Sequence, residues 1–309
     1  MIAGVYYPTW KDEEELTTID PKFNTVYLAF ADPRAKFNGV SWAGTGLNFS
    51  KGFQETKADI AVLKSRGVKV MLSVGGATYP FPIGYPFPTI GFNAKEMVKL
   101  AVAMGVDGID IDWEPFHGAT DEWPLIIQSF HNEIVPGNTP LWLSAAVWST
   151  GCMQPREGDR FRGINIPGLV QKGDYLDWLN IMAYDSGPPE NVDPLGCFYT
   201  YRVYYKKPLV LGFQPGKMGW GDYKTTQDDV VKGCEYAAND GDGANEGGGY
   251  PNGIFIWHYF KDDFANGVTR DFIIDTALKA FGNDDDDNDN VTQCPWCNNA
   301  VSLNKLTKK

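Results

Sequence analysis

Eight short runs rich in β-branched and aromatic residues recur along the first 281 residues of this 309-residue chain. They are IAGVYY from Ile2, TVYLAFA from Thr25, VKVMLSVGG from Val68, VDGIDIDWE from Val106, LWLSAAVW from Leu141, YLDWLNIMAY from Tyr175, PLVLGF from Pro208 and NGIFIWHY from Asn252. Helix-patterned segments lie between several of them. KADIAVLKSRG precedes the third run, NAKEMVKLAVAMG the fourth, DEWPLIIQSFHNEIV the fifth and TTQDDVVKGCEYAAND the eighth. Strands alternating with helices imply parallel βαβ units, and continuous apolar strands imply burial on both faces. Eight such units in one chain predict a closed (β/α)8 TIM barrel, an α/β fold, over residues 1–281. A doubly wound sheet is disfavoured, because no glycine fingerprint for a dinucleotide follows the first strand.

After Phe281 the character changes. GNDDDDNDN is a block of like charge with nothing to bury, so residues 282–309 are expected to form a short acidic linker and tail outside the single barrel domain. The tail carries CPWC, with two of the five cysteines (Cys152, Cys197, Cys234, Cys294 and Cys297). An odd, sparse count is no disulfide framework. One CxxC supplies two ligands where zinc needs four, and histidine is limited to His117, His131 and His258. The pair is therefore a local disulfide, a pair of idle thiols, or a metal or redox motif, and no metal or cofactor is called for by the barrel itself.

The formal net charge of −12 argues against nucleic acid or an anionic membrane surface as partner, since both select clustered Lys and Arg. No run of about 18 apolar residues is present to span a membrane. The opening MIAGVYYPTW is strand-like and lacks the basic-then-apolar pattern of a secretory leader, which leaves the compartment open. Asn48 and Asn290 begin acceptor sequons that matter only in a secreted chain. A monomer acting on an uncharged ligand suits this charge. The 10 Trp, 15 Tyr and 18 Phe fit either a large core or stacking platforms for ring-shaped ligands.

One of the eight runs carries a chemical anomaly. DGIDIDWEP, Asp107 to Pro115, packs four carboxylates into a strand that otherwise reads as buried. Side chains alternate faces along a strand, so Asp110, Asp112 and Glu114 point one way and Ile109, Ile111 and Trp113 the other. In a barrel the acids would face the interior, with Glu114 nearest the C-terminal mouth where barrel enzymes place their chemistry. Asp112 and Glu114 would lie roughly 6–7 Å apart along the strand axis. Coupled, buried carboxylates keep one acid protonated near neutral pH, which suits a general acid donating to a leaving oxygen. Glycoside hydrolysis is the reaction class this favours. Asp107 sits at the strand entry and is expected to support it.

With these residues in view, the chain resembles glycoside hydrolase family 18, the chitinases and their relatives. DGIDIDWE is similar to the family's DxxDxDxE, SVGG (Ser73–Gly76) to its SxGG, and MAYD (Met182–Asp185) to its MxYD. Trp257 stands where the family has its eighth-strand tryptophan, and YYPTW resembles the family's opening. The resemblance implies that Glu114 is the acid and base, while the substrate's own 2-acetamido carbonyl attacks the anomeric carbon to form an oxazolinium intermediate. It implies that Asp112 holds the acetamido N–H and that Asp110 tunes the proton shared with Asp112, supported by Ser73. Tyr184 would orient the attacking carbonyl, Asp185 would bind the sugar or its acetamido arm, Met182 would line the pocket and Trp257 would floor it. Tyr7, Trp10 and Trp148 are further candidates for the cleft lining. The implied substrate is chitin or another N-acetylglucosamine-containing oligosaccharide; an endo-β-N-acetylglucosaminidase acting on N-glycans and a non-catalytic lectin share the same motifs.

Three features depart from the family's common pattern. Gln214–Asn252 is too short for the α+β insertion that deepens many clefts, which favours an open groove and endo action. Pro115 directly follows Glu114, where many members have an aromatic. Thr78–Phe92 is an aromatic–proline loop, either an extra substrate wall or a stiff connection.

Overall fold

The computed structural model describes residues 1–11, 14–79, 92–114, 122–135, 140–149, 172–185, 195–216, 224–240, 251–260 and 267–282. The acidic tail with its CPWC motif, Pro115, Asn290 and most of the aromatic–proline loop lie outside the described residues.

Eight parallel strands close on themselves in chain order. They are β1 (Ile2–Pro8), β2 (Thr25–Ala31), β3 (Lys69–Gly75), β4 (Gly108–Asp112), β5 (Trp142–Trp148), β6 (Trp178–Met182), β7 (Leu209–Phe213) and β8 (Gly253–Ile256). β8 pairs with β1, so no edge is left open. The described helices are α1 (Phe53–Ser65), α2 (Ala94–Met104), α3 (Glu122–Ile134), α4 (Cys197–Tyr204), α5 (Gln227–Asn239) and α6 (Arg270–Ala280). Local chemistry sets their ends. Asn93 and Thr269 accept from the backbone amides of Glu96 and Phe272, and Gly105 closes α2 at φ 77°, in the left-handed region glycine tolerates.

Period-2 alternation divides the apolar residues into two layers. Val5, Leu28, Leu72, Ile109, Leu143, Leu179, Leu211 and Ile254 belong to the shell between strands and helices. Tyr6, Tyr27, Met71, Trp178, Val210 and Phe255 fill the barrel. Large rings occupy the interior at this level, which Gly212 allows: a Cβ there would fall inside the Phe255 ring. β2 breaks the alternation. Its pairing with β3 shifts between Leu28 and Ala31, and both Ala29 and Phe30 join the interior cluster.

Candidate active site

β4 sorts its residues as its pattern requires. Ile109 and Ile111 enter the outer shell, and Trp113 packs edge-on against Trp123 of α3 with ring centroids 5.2 Å apart. Asp110 and Asp112 are buried inside the barrel, and Glu114 follows just past the strand end. Asp107, at the entry, accepts the Val70 amide at 2.9 Å and pairs with Lys64 at 2.9 Å, a structural role on the far side of the barrel.

Strand register decides what each acid meets. Asp110 lies opposite Ser73 on β3 and Ser144 on β5. Ser73 donates to its Oδ2 at 2.8 Å and Ser144 to its Oδ1 at 2.7 Å. Tyr6 adds a third bond to Oδ2 at 2.7 Å and the Asn180 amide a fourth to Oδ1 at 3.0 Å. Four donors saturate this carboxylate. Asp112 lies opposite Gly75 and Ala146, neither of which has a polar side chain. Its Oδ1 is buried and has no hydrogen-bond partner among the described residues. Glu114 receives the Trp148 indole N–H on Oε2 at 3.2 Å, and the nearby Ala77 backbone amide also favours its ionised form.

The electrostatics follow from these neighbours. Burial raises the Asp110 pKa, and its four hydrogen bonds oppose that rise. Asp112 is pushed well above the carboxylate range by burial, then by the charges of Glu114 and Asp110, with nothing donated in return. Burial also raises Glu114, opposed by Trp148, reinforced by Asp185 and opposed again by Ala77. Tyr184 is raised far above a free phenol by burial, then by Asp112, Asp185, Glu114 and Asp110, so it stays a neutral donor. All three acids are thus pushed toward their protonated forms, with one unpartnered acceptor lying between two donor-bound acids.

The other expected residues gather here with one exception. Met182 and Tyr184 belong to the interior cluster, with the Tyr184 ring 6.0 Å from Phe255. Asp185 takes φ 46°, in the left-handed region that Asp tolerates better than most non-glycine residues. Trp257, just past β8, stacks on Phe30 at 5.4 Å and meets Tyr6 edge-on at 5.6 Å. Trp10, 46% exposed, extends this aromatic surface by stacking on Phe30 at 6.0 Å.

Tyr7 does not reach the mouth. It is buried in the outer shell, its hydroxyl donates to the Glu14 carbonyl at 2.7 Å, and its ring meets Phe260 edge-on. Its neighbour Tyr6 is the inward residue. The YY pair could not be phased from sequence, because both faces of β1 are buried and apolar. Ser144, Asn180, Tyr27 and Trp178 join the site from outside the sequence motifs. Trp178 donates to Tyr27 at 2.9 Å, Tyr27 to Asn180 at 3.2 Å, and Asn180 to Asp110, forming a polar chain inside the barrel. The available signal was polar residues at the inward phase of β5 and β6, which becomes usable once the register is known.

The model of glycosyl hydrolases family 18 matches residues 3–214 of the chain. The chain is 25% identical over 251 residues to a class V chitinase of Arabidopsis thaliana, covering 71% of this chain and 62% of that protein. It is 29% identical over 167 residues to Chitinase 1 of Aphanocladium album, covering 50% of this chain and 37% of that protein. The chain therefore spans less than two thirds of the length of either relative. Its fold superposes on a family 18 chitinase of Chromobacterium violaceum with a TM-score of 0.65 at 14% identity, covering 91% of this chain and 83% of that one.

Proposed function

The chain belongs to family 18 of the glycosyl hydrolases, and from that premise we propose that its barrel mouth cleaves β-1,4-linked N-acetylglucosamine polymers, chitin or its oligosaccharides, with retention. Glu114 protonates the glycosidic oxygen and then, as a carboxylate, activates the water that opens the intermediate. No second carboxylate attacks: the sugar's acetamido carbonyl is the nucleophile, giving an oxazolinium ion.

The observation that carries this reading is the buried Asp112 Oδ1, an acceptor with no donor among the described residues, set between two acids that have theirs. An unpaired buried acceptor is unfavourable until a donor arrives. The N–H of a 2-acetamido group is such a donor, and a charged Asp112 offsets the positive charge that develops on that group. Asp110, held by Ser73 and its three other donors, tunes the proton carried by Asp112. Neutral Tyr184 donates to the attacking carbonyl, Asp185 binds the sugar or its acetamido arm, and Met182 lines the pocket. Trp257 offers the scissile sugar an apolar floor. The protein itself supplies acid–base and electrostatic groups while the substrate supplies the nucleophile, and it works as a monomer in an open groove that favours endo cutting.

Product analysis on end-labelled chitin oligomers across pH 4–8 tests this. Internal cuts with retained anomeric configuration are expected, and no cleavage at any pH overturns it. Release of glycan from a glycoprotein without hydrolysis of chitotetraose would instead identify an endo-β-N-acetylglucosaminidase.

A further inference from the structure

Trp148 ends β5 at the level of Glu114, two residues along the inward face from Ala146, the partner of Asp112. It is half-buried, and its Nε1 lies 3.2 Å from Glu114 Oε2. The backbone that carries it is itself anchored. Tyr201, buried on α4, donates its hydroxyl to the Trp148 carbonyl at 2.7 Å.

An indole N–H donates and cannot accept, so this hydrogen bond has one polarity in every protonation state of Glu114. A hydroxyl in the same place could turn around and accept the acid's proton. In a neutral carboxyl group the carbonyl oxygen is the better acceptor. We propose that Trp148 is the positioning residue of Glu114, fixing Oε2 as the carbonyl oxygen and leaving Oε1 to carry the proton that is transferred. The assignment rests on Glu114 being the general acid and adds which oxygen acts and what selects it.

The same bond favours the ionised form of Glu114. The titratable groups that face Glu114 are Asp112 below it on β4 and Tyr184 and Asp185 at the end of β6. Each is acidic, and each discourages ionisation when charged. The Ala77 amide on the β3 side and Trp148 on the β5 side oppose them. Trp148 thus keeps Glu114 able to lose its proton in the first half of the reaction and serve as base in the second.

Two measurements test this, one of them independent of turnover. The Trp148 indole N–H resonance, assigned as the one lost in Trp148→Phe (or Trp148→Tyr, if the first variant does not fold), is followed against pH by heteronuclear NMR. It should move with a carboxylate titration in the wild-type protein and become flat in Glu114→Gln. A resonance equally insensitive to pH in both overturns the contact and the inference. In the second measurement, pH profiles of kcat/KM are compared between wild type and Trp148→Phe, which keeps an aromatic ring and loses the donor. Removing a donor from the ionised form raises the acid's pKa, so the alkaline limb should move up by about one pH unit, with the acid limb unchanged. An unmoved alkaline limb in an active variant overturns the inference. Wild type that cleaves no N-acetylglucosamine substrate removes the proposed function, while the indole titration still decides whether Trp148 holds Glu114.

Discussion

Asp110, Asp112 and Glu114 are alike in chemistry and alternate along one face of β4, yet each has a different surrounding. Ser73, Ser144, Tyr6 and Asn180 saturate the first, Gly75 and Ala146 leave the second bare, and the Trp148 indole holds the third. Their roles follow from neighbours on the flanking strands β3 and β5, joined by Tyr6 of β1 and Asn180 of β6. Glu114→Gln keeps the shape of the side chain and removes its proton chemistry. Turnover of chitin oligomers should fall by about three orders of magnitude, with oligomer binding, measured by calorimetry, within a few-fold of wild type. Retained turnover would remove Glu114 from its role. The acids themselves were legible in the sequence as an alternating pattern within a buried run. Their donors were not, because Ser144 and Asn180 sit in strands 34 and 70 residues away and look like ordinary polar punctuation.

At the scale of elements, the strands were easier to place than the helices. TVYLAFA coincides with β2, IAGVYY stops one residue short of the end of β1, and the other six runs each contain a strand, because β-branched and aromatic residues buried on both faces leave few alternatives. α4 and α6 carry weaker sequence signals. α4 is short and built largely of aromatic and polar residues, CFYTYRVY, so its helical stripe is weak. It is held by tertiary bonds. Arg202, buried on α4, pairs with Asp240 after α5 at 2.6 Å, donates to the Tyr205 and Lys207 carbonyls, and reaches Asn252 beside β8 at 2.8 Å. Asn252 also bonds Asp240 and accepts the Leu209 amide of β7. Arg202→Leu would strand the Asp240 charge in this setting. It should lower stability by about 3–5 kcal/mol in urea unfolding, whereas Lys22→Ala, which breaks an exposed pair with Asp275, should leave the midpoint unchanged within error. A loss for Arg202→Leu no greater than for Lys22→Ala would contradict the lock. Gly212→Ala belongs to the same scale: a methyl group driven into the Phe255 ring should lower the melting temperature, whereas the same change at Gly39, which has open space around it but shares a positive φ, tests backbone strain alone.

For the whole molecule, the buried acids set how stability depends on pH. Asp110, Asp112, Glu114 and Asp177 all have folded-state pKa values raised by burial above their ordinary ones. A carboxyl with a raised folded pKa binds its proton more tightly in the native state than in the unfolded chain. Its contribution is fully present below the unfolded value, about 4, and is lost as pH rises through the folded value. Asp32, lowered by Arg34, runs the opposite way. Asp112 is raised without a donor to restrain it, so Asp112→Asn should raise the melting temperature more at pH 7 than at pH 4, even as it abolishes turnover. An equal change at both pH values would show that Asp112 titrates alike folded and unfolded.

The sequence by itself determined the barrel, the strand that carries the acids and the end at which they emerge, because burial on both faces and period-2 alternation are local properties of the chain. Only the tertiary structure decided which of Tyr6 and Tyr7 points inward, where β2 slips to bring Phe30 beneath Trp257, and which acid goes without a donor. Those outcomes depend on register between strands far apart in sequence. A shift of one residue would turn every side chain to the other face, and hydrogen bonds across the closed barrel fix that shift.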